Sequence, residues 1–184
     1  MGVLNVEAVL ALKTAFVDRR PPVEKVVSVI HKDARVSLVR ARIGTPVEDI
    51  LTDLDISTDQ GDRIVFGGPM TGHSVYSEKM PVMHTTDAIF IQDKHQIVAA
   101  SDSPCVNCGE CVRACPARLP VNMLVRLLEN RLYEEAAQRY DLLSCVECGL
   151  CSYVCMLHIP VFHYIMLGKH ELALQRAAEE SDGE

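Results

Sequence analysis

The chain has 184 residues, 48% of them hydrophobic and 23% charged, a balance that suits a folded globular chain and excludes wholesale disorder. Asp plus Glu outnumber Lys plus Arg by 25 to 18, for a net charge of −7. A nucleic-acid partner needs a basic surface to neutralise phosphates, and without a basic excess or any Trp that class is excluded. The N-terminus has no basic segment followed by an apolar run and a cleavage site, so the chain reads as cytoplasmic.

Val3 to Val17 places apolar residues at 6, 9, 10, 12, 16 and 17, which predicts an amphipathic helix ended by Arg19-Arg-Pro-Pro22. Val26-Val-Ser-Val-Ile30 is a β-branched strand, followed by a turn at 31–33 and a second strand through Val36 and Leu38. Thr45-Pro-Val-Glu48 has the form of a capping box, with Thr45 as N-cap and Pro46 at the first helical position. Glu48 and Asp49 then belong to a helix start and not to a catalytic carboxylate pair. Arg63-Ile-Val-Phe66 reads as a strand, and 88–91 and 96–99 as two more. Between them, Gly67-Gly-Pro-Met-Thr-Gly72 fits a turn better than a phosphate cradle, because no P-loop or G-x-G-x-x-G pattern occurs. This order of strands and one helix predicts a small α+β unit of β-grasp type.

The small, polar stretch Ala100-Ser-Asp-Ser-Pro104 reads as a linker. The predicted organisation is an N-terminal helix at 1–22, a β-grasp-like domain at 23–100 and a helical domain at 101–184. All eight Cys fall in the last of these.

That region contains an internal repeat offset by 40 residues. Cys105-Val-Asn-Cys108-Gly-Glu-Cys111-Val-Arg-Ala-Cys115 returns as Cys145-Val-Glu-Cys148-Gly-Leu-Cys151-Ser-Tyr-Val-Cys155, and Pro120-Val121 returns as Pro160-Val161. Each run leads through its Pro into a predicted helix, one from Val121 to about Tyr140 and one from Pro160 to about Glu179. The acidic residues from Glu179 to Glu184 read as a solvated, frayed tail.

Both runs have the form Cys-x2-Cys-x2-Cys-x3-Cys. Three thiolates at this spacing can serve three corners of a cubane, and the fourth iron needs a ligand from farther away. In two-cluster ferredoxins the fourth Cys of each run crosses to the other cluster. The expected ligand sets for two 4Fe-4S clusters are therefore Cys105, Cys108, Cys111 and Cys155, and Cys145, Cys148, Cys151 and Cys115. Structural zinc leaves the third Cys of each run without use, and a disulfide framework conflicts with a cytoplasmic chain. Cys148 to Gly168 contains no Asp, Glu, Lys or Arg, a length that could span a bilayer. Its three Cys, two His and Pro160 make it the apolar surroundings of a cluster instead. His158 and His163 read as neighbours of a site already saturated by Cys. No catalytic triad or Cys/His nucleophile is present.

Together with Asp18-Arg-Arg-Pro-Pro22, Gly44-Thr-Pro46 and Gly67-Gly-Pro-Met70, the paired Cys runs resemble the C-terminal part of the C-subunit family of Rnf electron-transport complexes. The resemblance implies a soluble-ligand-binding β-grasp (SLBB) domain followed by a helical two-cluster ferredoxin domain. It also implies an electron-transfer subunit, not a self-sufficient enzyme, relaying single electrons between a flavoprotein partner and another redox partner. Any membrane association would then come through those partners. Two alternatives stand beside this reading: a structural adaptor that anchors a larger oxidoreductase, with clusters mainly holding the fold, and, by analogy with related family members, a reductase component for a cobalamin- or folate-linked enzyme. Full family members carry an N-terminal flavin- and nicotinamide-binding region that this chain has no room for, so the isolated chain is expected not to oxidise NADH. Met156 stands where the first run has Pro116.

Overall fold

Strand β1 (Glu24–Ile30) alternates in burial, with Lys25, Val27 and Val29 turned inward. This is the period-two pattern of a strand with one face on a core. It pairs antiparallel with β2 (Val36–Arg42) in unbroken register from Glu24 opposite Arg42 to Ile30 opposite Val36. The turn between them closes through His31 and Arg35, with Ala34 at φ 65°. The computed structural model describes residues 4–182, with side chains to Glu179, and the chain divides into two units between Ile97 and Val98.

In the first unit, helix α1 (Val6–Phe16) starts at Asn5, whose side chain accepts from the Ala8 N–H at 2.7 Å. None of its residues is buried, and Met1 to Val3 of the predicted helix lie outside the described residues. Helix α2 (Val47–Asp53) buries Val47, Ile50 and Leu51. Strands β3 (Arg63–Phe66), β4 (His73–Val75) and β5 (Ala88–Gln92) complete a five-stranded sheet in the order β2-β1-β5-β3-β4. The central pair, β1 and β5, is parallel, and the outer pairings are antiparallel. Val27, Val29, Ile89 and Ile91 are 0% exposed and pack with the apolar residues of α2. Burying each such side chain contributes roughly 1.5–3 kcal/mol.

This unit departs from two sequence expectations and adds one strand that the pattern does not predict. The capping box at Thr45 does not form: Pro46 occupies the N-cap position without a side-chain hydrogen bond. The free N–H groups of Val47 and Glu48 instead donate to the carbonyls of Met80 and Glu78, so a distant segment satisfies the helix start. Residues 96–99 are not a strand. Asp93 nucleates a single 3-10 turn, its side chain accepting from His95 N and its carbonyl from Gln96 N, and no strand pairs with the residues that follow. Finally, β4 was not anticipated, because His73-Ser-Val75 lacks an apolar alternation. It forms because Gly67, at φ 95°, and the Gly72 N–H donating to the Gly68 carbonyl fold the Gly67–Gly72 segment into a hairpin turn.

The second unit is helical among its described residues: α3 (Glu110–Ala114), α4 (Val121–Glu129), α5 (Tyr133–Tyr140), α6 (Leu150–Tyr153) and α7 (Val161–Asp182). The single helix expected from Val121 to Tyr140 is broken in two. At its break the Leu132 N–H reaches the Leu127 carbonyl and the Arg131 N–H the Leu128 carbonyl, with Arg131 at φ 59°. That is a Schellman stop, made here without glycine. The tail read as frayed lies mostly outside the described side chains, and the backbone of α7 is helical to Asp182. Leu124, Leu142, Ile165 and Leu172 centre the core of this unit, and Gly168 lets α7 approach Leu128 of α4. No helix of the described residues is long and apolar enough to cross a membrane.

Candidate metal centres

The two Cys runs fold into copies of one backbone. Asn107 and Glu147 have φ values of 60° and 57°, Gly109 and Gly149 79° and 76°, and Arg118 and His158 56° and 54°. The hydrogen bonds repeat as well: Val112 and Arg113 donate to the Gly109 carbonyl as Ser152 and Tyr153 do to that of Gly149. Arg118 and His158 each donate to the carbonyl of the preceding Cys, 115 or 155. Three left-handed residues per loop keep turning the chain around a centre, which exposes successive thiols to that centre. Left-handed Asn107 and Glu147 were not anticipated; their only signal is that each stands at the same place in the repeat.

A cavity of about 420 Å³, its open mouth included, is lined by Cys105, Cys108, Cys111 and Cys155. The wall between the thiols is apolar, made by Val125, Leu157, Ile159 and Val161, and Val106 and Met156 stand exposed at its rim. Seven of the Cys are half-buried and Cys108 is exposed. Cys105, Cys111, Cys115, Cys145, Cys151 and Cys155 pack directly against the core of the second unit. Burial, with the neighbouring Cys105, pushes the Cys111 thiol up from its ordinary value. Burial pushes Cys151 further, to about 12, against a backbone hydrogen bond from Ser152, and the nearby Cys145, Cys148 and Cys111 add to the rise.

Such thiols stay protonated at neutral pH until a cation displaces the proton, and iron coordination does so. Soft sulfur donors in an apolar, half-buried setting fit an iron–sulfur cluster. Besides Cys151, Cys115 Sγ accepts the Leu119 N–H and Cys145 Sγ the Glu147 N–H, both at 3.4 Å. Hydrogen bonds of this kind stabilise added negative charge on sulfur. Among the described residues, no three His, Cys, Asp or Glu side chains are gathered around a single-ion site. His158 and His163 are exposed; the left-handed turn at His158 serves the backbone, and its carbonyl accepts from Ser101.

The family model for a 4Fe-4S dicluster domain matches residues 97–156, a span that holds all eight Cys. The chain is 34% identical over 141 residues to the C-subunit of the ion-translocating oxidoreductase complex of Edwardsiella ictaluri. It is 33% identical over 145 residues to the C-subunit of the proton-translocating ferredoxin:NAD(+) oxidoreductase complex of Clostridium ljungdahlii. The chain is homologous to the Rnf C-subunit family. Its cofactors are 4Fe-4S clusters. These alignments cover 74% and 77% of the chain but 18% and 31% of the two relatives. A relative from Rhodobacter capsulatus, also the C-subunit of an ion-translocating oxidoreductase complex, is 32% identical over 116 residues, 62% of the chain and 22% of that protein. The chain thus spans less than a third of the length of these curated relatives.

Proposed function

We propose that the chain is an electron-relay subunit of an Rnf-type oxidoreductase complex, passing single electrons between a flavoprotein partner and a second redox partner. The ligand sets are Cys105, Cys108, Cys111 and Cys155 for one cluster, and Cys145, Cys148, Cys151 and Cys115 for the other. When bound, each cluster supplies reversible one-electron chemistry at a potential tuned by its surroundings. What carries the reading is the cavity in which Cys155, from the second repeat, faces the first three thiols of the first repeat. The apolar wall excludes water, the left-handed loops aim the thiols, and the exposed edge at Cys108, Val106 and Met156 leaves a path for a partner to approach.

The first unit is read as the family's β-grasp domain at 23–100, offering a docking face. Its support is the strand order β2-β1-β5-β3-β4, with first and last strands parallel at the centre and one helix between β2 and β3.

The test is iron and sulfide analysis of anaerobically purified protein with electron paramagnetic resonance after reduction. About eight of each and two interacting signals are expected; zinc or one cluster would overturn the reading. The crossing has its own test. Cys108→Ser combined with Cys155→Ser should lose no more iron than either alone, whereas Cys108→Ser with Cys115→Ser should empty both sites. In the assembled complex, Cys148→Ser should stop electron flow without dissociating the subunit. Dissociation with the remaining cluster still reducible would instead favour a structural adaptor.

A further inference from the structure

The internal repeat provides its own control, because the two cluster loops share a backbone and differ in a few side chains. In the second loop, Lys169 of α7 places Nζ 2.8 Å from the carbonyl oxygen of Cys145 and 2.7 Å from Glu147 Oε1. In the first loop the place of Glu147 is taken by Asn107, whose Oδ1 accepts from Asn122 Nδ2 at 2.6 Å. The place of Lys169 is taken by Glu129, an exposed residue. One loop is therefore braced by a neutral pair, and the other by an ion pair whose cation is also bonded to the backbone of a cluster-ligand residue.

The two charges of that ion pair do not cancel at the cluster. The Lys169 side chain is 17% exposed, and that of Glu147 is 44% exposed. Water and salt screen the carboxylate more than the ammonium. The ammonium is also the group held against Cys145 itself. One-electron reduction adds a negative charge beside Cys145, and a fixed, poorly screened positive charge there favours the reduced form. The first loop has a charge pair too, Glu110 with Arg113, but these side chains are 47% and 63% exposed and both are washed by solvent.

We propose that Lys169 is a positioning residue that sets redox poise: it raises the reduction potential of the cluster on the Cys145 loop and leaves that of the Cys105 loop alone. The two repeat-related clusters are then unequal by construction, which gives single electrons a preferred resting place within the subunit. This inference rests on the two-cluster reading above.

The experiment is a redox titration of the holoprotein followed by electron paramagnetic resonance, with iron and sulfide measured on each sample. In Lys169→Met, whose side chain has similar length and no charge, one midpoint should fall and the other stay. The expected size is about a tenfold change in the reduced-to-oxidised ratio, which is about 59 mV for a one-electron couple. Lys169→Arg should restore the midpoint. Glu147→Gln, which leaves the ammonium uncompensated, should move the same midpoint upward, and it stands in if Lys169→Met fails to load iron. Unchanged midpoints, or two that move together, at wild-type iron content would overturn the inference. A wild-type protein without two clusters would overturn the underlying reading instead.

Discussion

The sheet unit and the cluster unit reach stability by different routes. In the first, apolar side chains, most of them from β1, β3, β5 and α2 and including Phe66, form one continuous buried core. In the second, twelve buried residues form the core, but six Cys are packed on its surface and six left-handed residues hold the loops that carry the thiols. Four of those six are not glycine, and each costs roughly 1–2 kcal/mol relative to ordinary backbone. The same chain thus combines a part built around a continuous apolar core with a part whose loops are shaped for an inorganic core. A fold that borrows stability from its cofactor keeps its thiols exposed enough to receive one.

The largest expected break in this comparison comes from iron removal. Chelation under anaerobic conditions should abolish amide protection in residues 105–161 while leaving β1, β2, β3 and β5 protected. Hydrogen exchange read by mass spectrometry of peptides checks this, and equal protection of the second unit with and without iron would refute it. Glycine substitutions give a smaller effect that separates the units by the rigidity of what the new methyl meets. In Gly72→Ala the Cβ would lie 2.6 Å from the carbonyl oxygens of Gly68 and Phe66, which are backbone and cannot turn away. A cost of about 3 kcal/mol is expected for the sheet unit. In Gly168→Ala the Cβ meets the end of the Leu128 side chain, which can rotate, so about 1 kcal/mol is expected for the helical unit. Thermal unfolding of the two holoproteins, resolved by unit, measures both, and a reversed order would mean that the helix crossing is the stiffer contact.

The smallest expected effect is confined to the sheet unit and to acid. The Lys32 ammonium beside Asp62, with N–H groups from Asp59 and Lys94, holds its carboxyl down at about 2. A depressed carboxylate stabilises the fold fully above its ordinary value of 3.8, and that contribution is lost as pH falls from there through about 2. The stability difference between wild type and Asp62→Asn should therefore shrink over that window and stay constant from pH 5 to 8. The Asp59 and Lys94 amide signals report it directly, and as they belong to the sheet unit, cluster loss in acid does not obscure them. A difference that persists at pH 2 would show that the carboxylate contributes shape and not charge.

Much of this organisation is readable from local pattern. β-Branched runs marked β1, β3 and β5, because a strand shows its period within a few residues. The Cys spacing pointed to clusters for a similar reason: ligand geometry is written in intervals of two and three residues. The misses share the opposite property. Nothing in Thr45-Pro-Val-Glu48 reveals that carbonyls of Met80 and Glu78 arrive to cap α2 in place of Thr45. Nothing in Glu129-Asn-Arg-Leu132 signals a stop, since Arg131 takes the left-handed conformation that glycine usually marks.

By itself, then, the sequence determined the repeat, the eight sulfur donors and the alternation of strand and helix, because each is expressed by residues close together in the chain. The ferredoxin pattern groups Cys155 with Cys105, Cys108 and Cys111 in the sequence, but the cavity that the four line, and the placing of Lys169 against Cys145, are decided only by the tertiary structure. Those partners are 24 or more residues apart, and helix packing, not local propensity, chooses which distant side chains meet.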